Sequence, residues 1–340
     1  MATKDKKVLE KVVIRFAGDS GDGMQLTGSQ FADTSMIVGN DIVTFPDYPA
    51  EIRAPQGTVA GVSSFQVQIG KVDVYTPGDW PDVLVAMNPA ALKANLHLLQ
   101  EGSTVITDVD AYDKKNLEKA GYEANPLDNG ISTTYNIVPA PITSLTRSSI
   151  AHLGLDNKSM NRCKNMFALG VVYWLFSRPL EPTEAFLDKK FKSNPTLAEA
   201  NKLAMRAGHI YAESIELLPS AYIIPSANLE KGRYRNVTGN RAIAWGFMAA
   251  AEKAKKPLFL GSYPITPASD IMHELAKQKA FDVRVFQAED EIAAMASTIG
   301  AGFAGNIAVT NTSGPGLCLK SEAIGLAVMS ELPVVIVNVQ

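Results

Sequence analysis

The 340-residue sequence predicts an α/β protein made of two doubly wound parallel-sheet domains. Three observations carry that prediction. Strand-sized apolar runs alternate with stretches of helical periodicity along most of the chain. A glycine-rich turn, Gly18-Asp19-Ser20-Gly21-Asp22-Gly23, follows the first apolar run and opens a helical pattern. Across residues 257–316, three further runs (258–261, 283–286 and 307–310) each pass through a short loop into a helix. In an open parallel sheet such loops gather at the carboxyl ends of the strands, where ligands bind.

Composition bounds the rest. The chain is 46% hydrophobic and 20% charged, an ordinary globular balance with length for about two or three domains. A net charge of -3 shows no basic excess for nucleic acid or an anionic membrane surface. The longest apolar runs, such as 334–337, fall far short of the ~20 residues of a spanning helix. The N-terminal MATKDKKVLEKVVIRF lacks the apolar core and small-residue cleavage site of a secretory leader, so a cytoplasmic protein is expected. Two cysteines (Cys163, Cys318) and four scattered histidines (His97, His152, His209, His273) make no metal-ligand pattern, and any redox metal is expected on another chain.

In chain order, residues 9–16 read as a first strand, and MQLTGSQFADTSMIVG as a helix with Leu26, Phe31, Met36 and Ile37 at helical spacing. Between them, Gly18, Gly21 and Gly23 suit a turn whose backbone N–H groups and following helix N-terminus face an anion. The spacing is G-x-x-G-x-G, not the dinucleotide fingerprint, and no P-loop lysine follows. A tight strand–helix turn with no ligand is the alternative. Residues 41–69 give two strands around a proline-rich centre holding Glu51 and Arg53. Arg53 either pairs with Glu51 or reaches an anionic ligand. Further strands are expected at 83–86, in STVITDVD and at 133–138, the last after a turn at Asp128-Asn129-Gly130. Residues 160–176 form an apolar helix with Cys163 as a buried small hydrophobe. Pro182-Thr183-Glu184 opens another helix, and 196–216 form an amphipathic helix packing on its own domain. Residues 218–238, with two prolines and no period, read as a linker. The expected domains are thus 1–190, a helix and linker over 191–236, and 237–340.

The second domain begins with the helix NRAIAWGFMAAAEKA and, after its three strand–loop–helix passages, ends with the helix LCLKSEAIGLAVMSE and the strand LPVVIVNVQ. An apolar parallel strand needs neighbours and helix cover on both faces. With the sequence stopping at Gln340, this domain reads as incomplete, and more chain or a partner is expected.

The three loops carry the chemistry. In Tyr263-Pro264-Ile265-Thr266-Pro267 the prolines fix φ on both sides of Thr266, so its hydroxyl is held for a substrate oxygen. The alternative makes Thr266 a helix N-cap with Pro267 at the first helical position. Gln287-Ala288-Glu289-Asp290-Glu291 supplies more acid than a helix N-terminus needs, and Glu289 stands nearest the strand end, where a carboxyl could exchange a proton with a ring nitrogen. In the third loop, Asn311-Thr312-Ser313-Gly314-Pro315-Gly316, the Gly314-Pro315-Gly316 turn strips side chains away and lets a flat ring approach the backbone. Together they suit a planar heteroaromatic cofactor.

These motifs, YPITP, FQAE and TSGPG in this order and spacing, resemble the pyrimidine-binding domain of 2-oxoacid:ferredoxin oxidoreductases, which are thiamine diphosphate enzymes. The N-terminal half resembles the gamma domain that many such alpha subunits carry in front. The resemblance covers nearly the whole chain and implies an alpha subunit that oxidatively decarboxylates a 2-oxoacid to its acyl-CoA and CO2 and passes electrons to ferredoxin. It implies that thiamine diphosphate is shared with a beta subunit holding the diphosphate, Mg2+ and a [4Fe-4S] cluster, in a dimer of alpha-beta heterodimers. Tyr263, Pro264, Ile265, Ser313, Gly314 and Pro315 then line the cofactor. Glu289 matches the glutamate at the aminopyrimidine N1′, and Thr266 the threonine near the substrate's 2-oxo acid group. No metal ligand is implied on this chain.

The resemblance also associates the gamma domain with coenzyme A, placing Gly18, Gly21, Gly23 and Arg53 as candidate contacts. Ser20 and Asp22 depart there from the family's G-x-G-G-Q-G. The sequence ends where the family's Arg-Gly-Gly segment would begin, so the arginine that helps hold the substrate carboxylate is expected to be missing. Ala50-Glu51-Ile52-Arg53-Ala54-Pro55 with the fused gamma domain looks most like 2-oxoglutarate-type alpha subunits, with pyruvate or branched-chain 2-oxoacids as alternatives. A non-catalytic coenzyme A- or nucleotide-binding module is the alternative from another class.

Overall fold

The computed structural model describes residues 7–47, 61–215 and 221–339. The chain divides into two compact units, 1–232 and 233–340.

In the first unit the main sheet consists of β1 (Lys11–Asp19), β2 (Asp41–Asp47), β3 (Val62–Gly70), β4 (Val83–Ala86), β5 (Thr104–Asp108) and β6 (Asn136–Ala140), in the order β2-β3-β1-β4-β5-β6, and a separate short parallel pair joins Lys7–Val8 to Tyr222–Ile223. β6 lies later than the expected 133–138, because Ile131–Thr134 instead forms a short helix. β1, β4, β5 and β6 are parallel, but β3 runs antiparallel to both β1 and β2, with Lys11 opposite Gly70 and Asp41 opposite Gly70 at the far edges. The sheet is therefore mixed where a purely parallel one was expected. A parallel neighbour needs a crossover, usually helical. The proline-rich sequence between β2 and β3 has no helical period, and an antiparallel return needs none.

Successive side chains enter opposite faces of this sheet. Phe16, Val83 and Val85 join a core formed with α1 (Met24–Val38) and with α4 (Lys164–Leu175). Ala17, Leu84 and Ala86 face α2 (Pro89–Asn95), whose first turn is capped by the Asn88 side chain accepting from Ala91 N–H. The unit also contains α3 (Ile142–Ile150), α5 (Glu181–Lys190) and α6 (Pro195–Ser214). Apart from Lys164 and Trp174, every residue of α4 is buried, as expected of a helix apolar all round. The buried Tyr173 hydroxyl of this helix meets Thr34 Oγ1 at 2.8 Å, Thr183 Oγ1 at 2.6 Å and Gln30 O at 2.9 Å, so its burial leaves no bond unmade. α6 crosses α4 so closely that a Cβ on Gly170 would lie 2.0 Å from Met205 O, and one on Gly208 2.0 Å from Phe167 O.

The second unit has four strands, all parallel: β7 (Leu258–Ser262), β8 (Val283–Gln287), β9 (Ile307–Thr312) and β10 (Val334–Asn338), in the order β8-β7-β9-β10. Leu258, Leu260 and Val309 pack on α7 (Gly239–Ala254) and α8 (Ser269–Ala276). Val334 and Ile336 pack on the other side against α9 (Glu291–Phe303) and α10 (Ser321–Met329). Helices thus cover both faces, as the doubly wound reading requires.

Candidate active site

In the second unit the strand order reverses at β7: β8 pairs with one side of it and β9 with the other. Ligand crevices open at such a switch point, beyond the carboxyl ends of the strands. Those ends are level, since Ser262 is the register partner of both Gln287 and Asn311. The three loops singled out from the sequence therefore leave one edge of one sheet.

The loop after β7 is held from beneath. Asn240 Nδ2 donates to Pro267 O at 2.9 Å, and Asn311 Nδ2 donates to Ala268 O at 2.6 Å. Pro264 and Thr266 are exposed, and Tyr263 and Ile265 half-buried. The helix begins at Ser269 with Ala268 at its N-cap, so Thr266 is not the cap that its Thr-Pro sequence allows. Ser269 N–H and Oγ both bond Ile265 O, closing the turn without it.

The consecutive acids after β8 have three different fates. Asp290 is the N-cap of α9, its Oδ1 accepting from Ala293 N–H at 2.7 Å. Glu291 is 9% exposed and turns inward, with its Oε1 3.2 Å from where a Cβ on Gly316 would stand. Glu289 is exposed and makes no hydrogen bond or ion pair among the described residues. Helix capping thus accounts for Asp290 and leaves Glu289 uncommitted at the strand end.

In the third loop Ser313 and Gly316 are buried, and Gly314 and Pro315 exposed. A Cβ on Gly316 would fall 2.0 Å from Thr312 Oγ1, so the turn closes only on glycine. Residues to which the sequence alone gave no separate role add to the site. Ser262 Oγ, Asn311 Oδ1 and Thr312 Oγ1 are buried and have no hydrogen-bond partner. They occupy the last residue of β7 and the last two of β9. Each such orphan costs about 1–3 kcal/mol. Two hydroxyls that donate or accept and one amide oxygen that accepts fit the mixed donor and acceptor edge of an aminopyrimidine. The only sequence signal for them is place: Ser262 immediately precedes the first loop, and Asn311 and Thr312 open the third.

The glycine turn of the first unit lies at the carboxyl end of β1 beside that of β4, and Asn88 Nδ2 donates to Asp19 Oδ1 there at 2.9 Å. Two helices start at this spot without a side-chain cap, α1 after Gly23 and α4 after Cys163. Lys164 Nζ is 2.9 Å from Asp22 Oδ1, and Asn165 Nδ2 donates to Gly23 O at 3.4 Å. Asp22 turns into the loop, where its Oδ2 accepts from Asp19 N–H at 3.1 Å. A carboxylate of the chain itself thus sits against the cation and the amide that an external anion would use. Asp108, fully buried at the end of β5, has its carboxyl pushed up from the usual range by burial, and the Thr143 N–H and hydroxyl oppose that shift by donating to it. Arg53 lies outside the described residues.

Among the described residues no cluster of three or more His, Cys, Asp or Glu could hold a metal ion, and no helix is long and apolar enough to cross a membrane.

Residues 13–211 match the family model described as pyruvate ferredoxin/flavodoxin oxidoreductase, and residues 250–340 match that of the thiamine diphosphate-binding region of pyruvate flavodoxin/ferredoxin oxidoreductase. The chain belongs to the pyruvate ferredoxin/flavodoxin oxidoreductase family. It is 53% identical over 339 residues to the 2-oxoglutarate oxidoreductase subunit KorA of Mycobacterium tuberculosis, covering 100% of this chain and 52% of that protein. It is 25% identical over 350 residues to the 2-oxoacid:ferredoxin oxidoreductase subunit alpha of a Sulfolobus species, covering 94% of this chain and 52% of that protein. The solved 2-oxoglutarate:ferredoxin oxidoreductase of Magnetococcus marinus, with 2-oxoglutarate, coenzyme A and succinyl-CoA bound, superposes with a TM-score of 0.75 at 29% identity, over 98% of this chain and 52% of that one. The chain spans about half the length of the curated relatives it matches.

Proposed function

We propose that this chain is the alpha subunit of an oxidoreductase that oxidatively decarboxylates a 2-oxoacid, 2-oxoglutarate by preference, to its acyl-CoA and CO2. The observation that carries the reading is Glu289, the one acid of its loop that is both exposed and free of a cap bond, beside the crevice where three buried polar atoms lack partners. When bound, thiamine diphosphate supplies the electron sink for cleavage of the bond next to the 2-oxo group. Glu289 holds and exchanges a proton at the aminopyrimidine N1′. The Thr266 hydroxyl orients the substrate through its 2-oxo acid group, while Tyr263, Pro264, Ile265, Ser313, Gly314 and Pro315 line the cofactor. The relatives named for 2-oxoglutarate support that substrate over pyruvate or a branched-chain 2-oxoacid.

A beta subunit carries the diphosphate, Mg2+ and [4Fe-4S] cluster and hands electrons to ferredoxin, in a cytoplasmic dimer of alpha-beta heterodimers. The need for a partner is supported by the apolar residues that the second unit leaves in water, among them Ile292, Phe303, Val328 and Met329. Coenzyme A is placed at the turn containing Gly18, Gly21 and Gly23. There its phosphate takes the place of the Asp22 carboxylate on Lys164 and meets the two uncapped helix N-termini. Co-expression with the beta subunit is expected to give a brown complex whose coenzyme A-dependent turnover requires thiamine diphosphate and is fastest with 2-oxoglutarate. A colourless complex inactive with every 2-oxoacid tried overturns the reading.

A further inference from the structure

Beneath the crevice lies a buried cation with no part in the chemistry above. Lys320 is 0% exposed, between the helical turn Gly316–Leu319 and α10. Its ammonium donates to Glu291 O at 3.3 Å and to Thr310 Oγ1 at 3.0 Å. It forms no ion pair among the described residues. Asp290 and Glu291 act on it only at longer range, and burial draws its pKa below the usual lysine range. A buried ammonium without a counter-ion is costly, and an unbranched apolar side chain would fill the same space without that cost.

The two acceptors show what the cation joins. Glu291 opens α9, one residue after its cap and two after Glu289. Thr310 lies within β9, just before Asn311 and Thr312, two of the three residues with unpartnered polar atoms. Lys320 itself follows Gly316 by four residues, and the Glu291 side chain rests against Gly316 from the other side. Within reach of one ammonium are thus the strand that ends at the crevice, the first turn of the helix that follows Glu289, and the segment leaving the Gly-Pro-Gly turn.

We infer that Lys320 is a positioning residue whose buried ammonium ties the first turn of α9 to β9 and so sets where Glu289 stands at the crevice. Its importance for turnover rests on the role proposed for Glu289. The test is Lys320→Met in the assembled enzyme, with Glu289→Gln prepared alongside. Hydrogen exchange of amides over 289–295 is expected to quicken about tenfold in Lys320→Met while β7 and α7 keep their rates. A displaced carboxylate lowers kcat about tenfold or more, with KM for the 2-oxoacid and the affinity for thiamine diphosphate changed by no more than about twofold. Thr310→Val, near-isosteric and lacking one acceptor, shifts the same amides in the same direction by less, and provides the test if Lys320→Met does not fold. Unchanged exchange and unchanged kcat in these variants, with Glu289→Gln inactive, overturn the role of Lys320 and leave that of Glu289 standing. Turnover surviving in Glu289→Gln overturns the role of Glu289 instead, and the exchange data then judge the tie between α9 and β9 separately.

Discussion

Asp290, Glu291 and Glu289 are chemically near-identical neighbours, and only the fold separates them. One caps a helix, one is buried against Gly316 and one is left in water at a strand end. The same holds for the two thiols. Cys163 is buried where α4 begins, and burial raises its pKa to about 11, whereas Cys318 is exposed. At pH 8 a pKa of about 11 leaves roughly one Cys163 in a thousand as thiolate, the reactive form. A disulfide-exchange reagent should therefore label one thiol of the native chain alone at pH 8, identified by mass spectrometry as Cys318, and the second only on unfolding. Rapid labelling of both would contradict the burial of Cys163. At this scale the sequence was legible where the chemistry is local: prolines fix Thr266, and acids head a helix. It gave Asn311 and Thr312 a place in a loop but no role, and was silent about Ser262, Lys164 and Lys320, because an ordinary serine or lysine becomes notable only when folding removes its partners or its water.

Elements were legible as far as their own periodicity reached. The strand–loop–helix passages of the second unit and the apolar α4 follow from hydrophobic pattern alone. The direction of β3 does not, since alternation is the same in either sense and the choice belongs to the connection. Helix crossings are equally hidden. Nothing in the local sequence says that Gly170 and Gly208 meet, yet each lets its helix touch the backbone of the other. Gly208→Ala is expected to destabilise the first unit by about 1–3 kcal/mol through overpacking, although alanine is the better helix former. Thermal denaturation checks this, and an unchanged or raised midpoint would mean that α4 and α6 are not in such close contact.

Each of the two units has its own core, and the candidate site of each lies at the carboxyl edge of its own sheet. Their polar groups at those edges differ. The first unit has a lysine paired with Asp22 beside two helix starts without side-chain caps, and the second an uncommitted carboxylate and unpartnered hydroxyls. The fold class and the three loops could be read from the chain. The apolar side chains that the second unit leaves in water, which support the partner proposed above, could not be read from the chain. The most direct test of the central claim is the 2-oxoacid decarboxylation rate of the assembled enzyme carrying Glu289→Gln, with the fold verified by circular dichroism. Loss of a proton-transfer group predicts a fall of about 10²–10⁴-fold in kcat with the complex intact, and a rate within a few-fold of the parent enzyme would contradict it.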